Sequence, residues 1–183
     1  MKVLLIMAVS MAAFANPAFA DVPNETQNFI EKVAVSNKFE IDTSRLAQRY
    51  GKAPPVREFA DRMISDHSQA GQNFQAALRE AAIAPPSDSL DVAHTAKYAK
   101  LRVFTTEAGF DSAYIDEQLA AHEEAVSLFK NYSSNGPTPA LKTFAQATLP
   151  TLEHHLQMVK EIRQSLSQGN AATGTSTGTT GSQ

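Results

Sequence analysis

Apolar residues recur in steps of four and three through one long segment of the chain, from position 55 to position 82. The repeat contains one histidine, and its members are Val56, Ala60, Met63, His67, Ala70, Phe74, Ala77 and Ala81. Such spacing places these side chains on one face of a helix of about seven to eight turns. The pattern therefore predicts a long amphipathic helix that points His67 into a core.

Three other segments carry a stripe of the same kind, and each stripe has one polar group, Glu40, His122 or His155, near its middle. In chain order the stripes are Phe29, Val33, Ser36, Glu40, Thr43, Ala47 and Tyr50; Ile115, Leu119, His122, Val126 and Phe129; and Leu141, Ala145, Thr148, Leu152, His155, Val159, Ile162 and Leu166. Sustained alternation of period two, which would predict strands, is absent from the sequence. The chain is therefore predicted to be all-α, with four long helices that each turn one polar residue inward.

Residues with strong capping preferences mark the ends of these helices. Asn24 and Gln27 are spaced as in a capping box, and Gly51 predicts a left-handed stop for the first helix. Asp111 and Thr138 are predicted to cap the third and fourth long helices. The first long helix is thus expected to span positions 24–50.

Prolines bound the second helix and separate it from a segment of different character. Pro54 and Pro55 suit a first helical turn, and the pair at positions 85–86 predicts the end of the helix. A shorter helix fits positions 90–107, with Gly109 closing it. Its predicted inner face consists of Val92, Ala96, Ala99 and Val103.

The lengths of the connections predict the topology. About four residues join the first helix to the second and the third to the fourth, so each pair is expected to form an antiparallel hairpin. The longer middle segment can cross the length of a bundle. Two hairpins joined by one long crossover form a ferritin-like four-helix bundle, and at helical rise Glu40 and His67 lie about 18 and 21 Å from the turn that they share.

Both ends of the chain differ from this central domain. Lys2, the apolar run at positions 3–9 and the small-x-small motif before Asp21 predict a secretory signal peptide over residues 1–20. From Gly169 onward no large apolar residue occurs, which predicts a disordered tail over residues 169–183. The folded domain is expected to occupy residues 21–168 of an exported, periplasmic protein without a transmembrane segment.

Composition narrows the classes of partner and chemistry. Loss of the predicted signal peptide removes Lys2 and moves the formal net charge from −3 to −4, and basic residues do not cluster, so nucleic acid is not an expected partner. The sequence has no cysteine, which excludes disulfides, a lipid-modified cysteine and a cysteine nucleophile. It also lacks a Gly-x-Ser-x-Gly elbow and a glycine-rich phosphate loop, so no catalytic motif indicates an enzyme.

The four inward polar groups, Glu40, His67, His122 and His155, require partners if they are buried. They would pair with one another, with water or with a metal, since an unpaired buried group costs about 1 to 3 kcal/mol. Imidazole and carboxylate suit Zn, Cu, Fe or Mn, and Met63 and Met158 add soft sulfur nearby. The chain contains no Glu-x-x-His motif, so a single transition-metal ion is favoured over a di-iron centre.

Several short motifs in combination resemble those of a known family. They are Glu40-Ile41, Val56 to Ala60 with Met63 and Asp66-His67, Phe110-Asp111 with Tyr114, His122, Leu128-Phe129, Phe144-Ala145, and Thr148 to Leu152 with His155-Leu156. Over roughly positions 24–164 the chain resembles the domain of unknown function 4142 family. The resemblance implies an exported bacterial domain of ferritin-like type, often labelled an outer-membrane protein, and it implies no activity, ligand or catalytic residue.

Two functions of different class follow from the sequence. The first is a non-enzymatic periplasmic module that binds an envelope protein partner or serves the envelope under stress, with the inward polar groups forming a metal-free network. The second is a metal-binding ferritin-like protein that holds one ion at Glu40, His67, His122 and His155. The spacing of the four groups is compatible with both.

Overall fold

Five helices make up the computed structural model of this protein, within the residues that it describes, 22–105 and 109–174. They are α1 Asn24–Tyr50, α2 Pro54–Glu80, α3 Val92–Phe104, α4 Phe110–Asn135 and α5 Pro139–Gly174. The predicted signal peptide and the last part of the predicted tail, residues 175–183, lie outside the described residues. The predicted all-α class is confirmed.

The four long helices form a bundle of two hairpins. Besides the hairpin contacts α1–α2 and α4–α5, α1 packs against α4 and α2 packs against α5, while α3 lies on α1 and α4. Helices α1 and α4 are antiparallel. Near the start of α1, Thr26 hydrogen-bonds Tyr132 near the end of α4, and near the end of α1, Ser44 hydrogen-bonds Tyr114 near the start of α4. Helices α2 and α4 are therefore parallel, and the segment that contains α3 crosses the length of the bundle, as the connection lengths predicted.

The core of the bundle consists of two apolar clusters. One cluster is built on Phe29, Phe74, Phe129 and Leu152, and the other on Phe59, Met63, Tyr114 and Val159. Between them along each helix lie the buried polar residues Glu40, Thr43, His67, Gln118, His122 and His155. The polar residues of the four predicted helix faces thus lie at similar heights along the bundle, and together they form one polar layer.

Substitution of Leu152 tests the facing of α5. This side chain is 4% exposed and packs in the first cluster, so Leu152→Ala is expected to lower the free energy of unfolding by about 2 to 5 kcal/mol. Exposed Ala147→Leu on the same helix serves as the control, and urea denaturation measures both. A loss below about half a kcal/mol would contradict this facing of the helix.

The capping predictions for α1 are wrong. The residue before the helix is Pro23, its carbonyl accepts from the Gln27 amide, and no side chain caps the end. Gly51 has φ −59° and ψ 133°, which is not left-handed. A Cβ at this position would lie 2.5 Å from the Ala47 carbonyl oxygen, so glycine is required there by close backbone approach.

The predicted cap of α4 by Asp111 is wrong, since no side chain caps this helix. Asp111 lies inside α4, which is preceded by Gly109 at φ 105°, a left-handed conformation that favours glycine. The Asp111 carboxylate accepts from the backbone amides of Lys52 and Ala53 at 2.9 and 2.7 Å. Because these amides precede α2, Asp111 ties the two hairpins together.

Helix α2 ends earlier than its prolines predicted. It stops at Glu80, and Ala82 takes a left-handed conformation at φ 54°. This conformation lets the Ile83 amide donate to the Leu78 carbonyl at 2.9 Å, so the last turn is closed before Pro85.

The predicted inner face of α3 is wrong. Val92 and Val103 are 89% and 59% exposed, and the buried residue of this helix is Leu101. Asp91 caps the helix by accepting from the His94 amide at 2.7 Å. The short helix rests on the bundle through Leu101 with partly buried His94 and Tyr98, a face that contains polar residues and gave no clear apolar stripe.

Helix α5 continues past the predicted start of the tail at Gly169 as far as Gly174. Side chains are described through residue 168. Among the described helices, none has the length and apolar character needed to cross a membrane.

Candidate functional site

Three histidines from three helices meet in the polar layer. His67 of α2, His122 of α4 and His155 of α5 are all buried, and one ring nitrogen of each lies within 4.8 Å of the others. The ring centroids are 5.4 to 5.9 Å apart. Phe59 packs edge-on against His122 and His155 from the second apolar cluster, at 6.4 Å to each. We call His67, His122 and His155 the histidine cluster.

A backbone carbonyl fixes the proton of His122. Its Nδ1 lies 2.9 Å from the carbonyl oxygen of Gln118, one turn earlier in α4. Because a carbonyl can only accept, Nδ1 carries the hydrogen and Nε2 keeps a lone pair. This Nε2 is buried and has no hydrogen-bond partner among the described residues.

The other two histidines are held in the same way by side chains. His67 Nδ1 lies 3.1 Å from Asn37 Oδ1, and His155 Nε2 lies 2.9 Å from Asp66 Oδ2. Each oxygen accepts a hydrogen, which leaves lone pairs on His67 Nε2 and His155 Nδ1. Both of these nitrogens are buried and unpartnered within the described part of the chain.

Burial keeps the cluster in its neutral form. The pKa of His122 falls to about 4, chiefly because burial penalises its charged form. Burial also lowers the pKa of His67 well below its usual range, with the charges of His122 and His155 adding to the effect. For His155 burial again lowers the pKa, and the nearby Asp66 carboxylate offsets part of the shift. All three rings are therefore neutral at pH 7 and can donate lone pairs.

Glu40 lies beside the histidine cluster without completing it. Its Oε1 is 3.9 Å from His122 Nδ1, too long for a hydrogen bond, and its Oε2 has no partner among the described residues. Burial raises the pKa of this carboxyl to about 8, so it is largely protonated at pH 7. The sequence predicted that Glu40 and the three histidines form one metal site. In the structure, the residues whose possible ligand atoms lie within 4.8 Å of one another are the three histidines.

A small cavity adjoins the cluster. It measures about 30 Å³, and Glu40, His67 and His122 line it together with Ser36, Asn37 and Ala125. This volume is about that of one water molecule. We call it the inner cavity.

Sequence reasoning missed the residues that orient the rings. Asn37 lies one helical turn before Glu40, so the sequence could have placed it on the inner face of α1. Its hydrogen bond to His67, however, depends on how α1 packs against α2. Asp66 directly precedes His67 in the sequence, and it holds His155 across the α2–α5 contact. Met63 lies in the second apolar cluster, and partly buried Met158 packs against it.

Fold and site together define a helical-bundle protein with a buried histidine cluster. A family model described as "Domain of unknown function (DUF4142)" matches residues 10–162, and the chain belongs to this family. The resemblance to this family that the sequence motifs indicated is thereby confirmed.

One solved structure is similar in fold over most of its length. It is described as CopM in the Cu(II)-bound form, and it superposes with a TM-score of 0.65 at 17% sequence identity. The similarity covers 78% of this chain and 96% of that chain. No curated protein sequence matches this chain.

Proposed function

We propose that this protein binds one transition-metal ion, Cu²⁺, at His67, His122 and His155. Two observations carry the proposal: one ring nitrogen of each histidine lies within 4.8 Å of the others, and each ring keeps one buried nitrogen without a partner among the described residues. Three neutral imidazoles from three rigid helices form a ligand set suited to copper or zinc.

The hydrogen-bond pattern favours a cation over a metal-free network. Each ring donates its only hydrogen to Gln118, Asn37 or Asp66, so its second nitrogen can only accept. Acceptors cannot bond to one another, and a single water has two hydrogens to offer three of them. A metal ion accepts all three lone pairs at once.

The outward partners are those that metal-bound histidines commonly have. A carboxylate, an amide oxygen and a backbone carbonyl fix the tautomer of each ring and raise its basicity. Glu40 supports the proposal as well, because a bound cation would favour its ionised form and the carboxylate would balance the charge of the ion.

Copper is the preferred ion for two reasons. Divalent copper binds nitrogen ligands more tightly than the other first-row metals. The similar solved structure is a copper-bound protein, which supports copper for this fold by analogy. With the predicted signal peptide, these points support a non-enzymatic role in holding copper in the periplasm.

Metal analysis of protein purified from its own periplasm tests the proposal. We expect about one copper per chain in the wild type and less than a tenth of that in a variant with all three histidines replaced by phenylalanine. The wild type retaining no copper after growth in copper, and none after incubation with Cu²⁺, would contradict it. Zinc retained in preference to copper would keep the site and overturn the choice of ion.

Substitution of Asp66 tests whether the hydrogen bond to His155 supports metal binding. Asp66→Ala removes the acceptor that holds His155, so we expect Cu²⁺ affinity to fall by about 10- to 100-fold while the number of sites stays the same. Exposed Glu58→Ala on the same helix removes an equal charge and should leave affinity unchanged. Competition titration against a chelator measures both, and equal affinities would show that Asp66 has no role at the site.

A further inference from the structure

A large groove runs along the face where α1 and α4 meet beneath the α2–α3 connection. It measures about 1230 Å³, and we call it the α1–α4 groove. Its charged and ionisable lining residues are Glu31, Lys32, Asp91, His94, Glu123 and Glu124. With four carboxylates against one lysine, the groove carries a negative potential that attracts cations.

The α1–α4 groove and the inner cavity share part of their walls. Ser36 of α1 and Ala125 of α4 line both spaces. Both side chains are small and half-buried, so only a thin layer separates the groove from the space beside His67 and His122. Beyond that layer lie Glu40, His67 and His122, each of which has one buried polar atom without a partner in the described part of the chain.

We propose that Cu²⁺ reaches the histidine cluster from the α1–α4 groove, by passing between Ser36 and Ala125 into the inner cavity. This inference rests on the proposed function. The groove concentrates the cation near the wall, local opening of the α1–α4 contact admits it, and Glu40 is the first buried oxygen ligand beyond the wall. His67 and His122 then take the ion from the cavity that they line.

Enlarging Ala125 tests the passage. In Ala125→Leu the added branched side chain fills the wall between the groove and the inner cavity, so we expect Cu²⁺ uptake to slow by at least about tenfold, with one ion still bound at equilibrium. Ala120→Leu is the matched control, since Ala120 lies exposed on α4 and lines neither space, and it should load at the wild-type rate. Stopped-flow quenching of tyrosine fluorescence by CuSO₄ measures the rates.

Neutralising a groove carboxylate tests the approach of the ion independently of packing. Glu124→Gln is expected to slow uptake by about threefold at low salt, and the difference should vanish at about 1 M salt. Glu153→Gln removes an exposed charge on α5 outside the groove and should have no such effect. If Ala125→Leu proves unable to bind copper, the comparison of Glu124→Gln with Glu153→Gln decides whether the ion enters through the groove.

The outcomes separate the two proposals. Binding of copper by the wild type with unaltered uptake in both Ala125→Leu and Glu124→Gln would overturn the route and leave the metal site intact. Absence of Cu²⁺ binding in the wild type would overturn both. Slower uptake in the groove variants with normal uptake in their controls supports the route.

Discussion

Replacing His122 by phenylalanine is expected to abolish the stabilisation that Cu²⁺ gives to the wild type. A ligand that binds only the folded state adds RT ln(1 + [L]/Kd), which is about 2.7 kcal/mol at a hundredfold excess of ligand over Kd. For a chain of this size that corresponds to a rise in Tm of about 5 to 10 °C. Thermal melts with EDTA and with Cu²⁺ measure the shift in each protein.

His122 is the best histidine to replace because its outward partner is not stranded. Its Nδ1 donates to a carbonyl of its own helix, whereas loss of His67 or His155 would also release Asn37 or Asp66. Phenylalanine keeps a ring against Phe59, so the apo fold is retained.

The matched control for surface binding is His154→Ala. This histidine directly precedes His155 in the sequence and is exposed. Its loss should leave the copper-induced rise in Tm unchanged. Equal rises in the wild type and in His122→Phe would show that copper binds elsewhere on the protein, and the three-histidine site would be wrong.

The metal-free protein is expected to be most stable near pH 6.5. The three buried histidines have folded pKa values below their ordinary value of 6.5, about 4 for His122, so the unfolded chain binds more protons below pH 6.5. Stability is therefore lost as the pH falls from 6.5 toward 4. Glu40 acts in the opposite direction, since its pKa rises from 4.5 to about 8 on folding and its contribution is lost as the pH rises through that window.

The two arms of this profile differ in steepness. Each net proton changes the free energy of unfolding by about 1.4 kcal/mol per pH unit. Below pH 6.5 three histidines oppose one glutamate, so the acid arm is expected to be the steeper one, whereas toward pH 8 Glu40 dominates and gives a decline of about 1 kcal/mol per unit. Urea denaturation in EDTA measures both arms.

Glu40→Gln separates the two contributions. The amide is neutral and close in shape to the protonated carboxyl, so the decline above pH 6.5 should disappear while the acid decline steepens. A wild-type profile that is flat between pH 5 and 8 would show that these groups do not titrate as their burial requires.

The buried polar layer between the two apolar clusters lowers the stability of the metal-free protein, as residues kept for function often do. Three imidazole nitrogens and one carboxyl oxygen have no partner among the residues that the structure describes, and each destabilises the metal-free bundle by about 1 to 3 kcal/mol. The apolar clusters on both sides, with Phe29 stacked on Tyr132 at 3.8 Å, offset that penalty. Local departures of this kind from an apolar core are typical of functional positions.

The sequence by itself determined the helices, their topology and the inward direction of four polar groups. These properties follow from period, from proline positions and from the lengths of connections, all of which are local along the chain. Glu40 and His67 could be placed at similar heights because they lie at similar distances from the turn that they share. The inner face of α3 could not be read, since one buried leucine among polar residues gives no stripe.

Only the tertiary structure decided which atoms of those residues face one another. Asn37, Asp66 and the Gln118 carbonyl select the free nitrogen of each ring, and two of these partners come from other helices. The relative rotation of the packed helices places Glu40 beside His122 instead of among the converging nitrogens. Helix rotation depends on how the side chains of neighbouring helices interlock, and that long-range packing has no signature in the periodicity of a single segment.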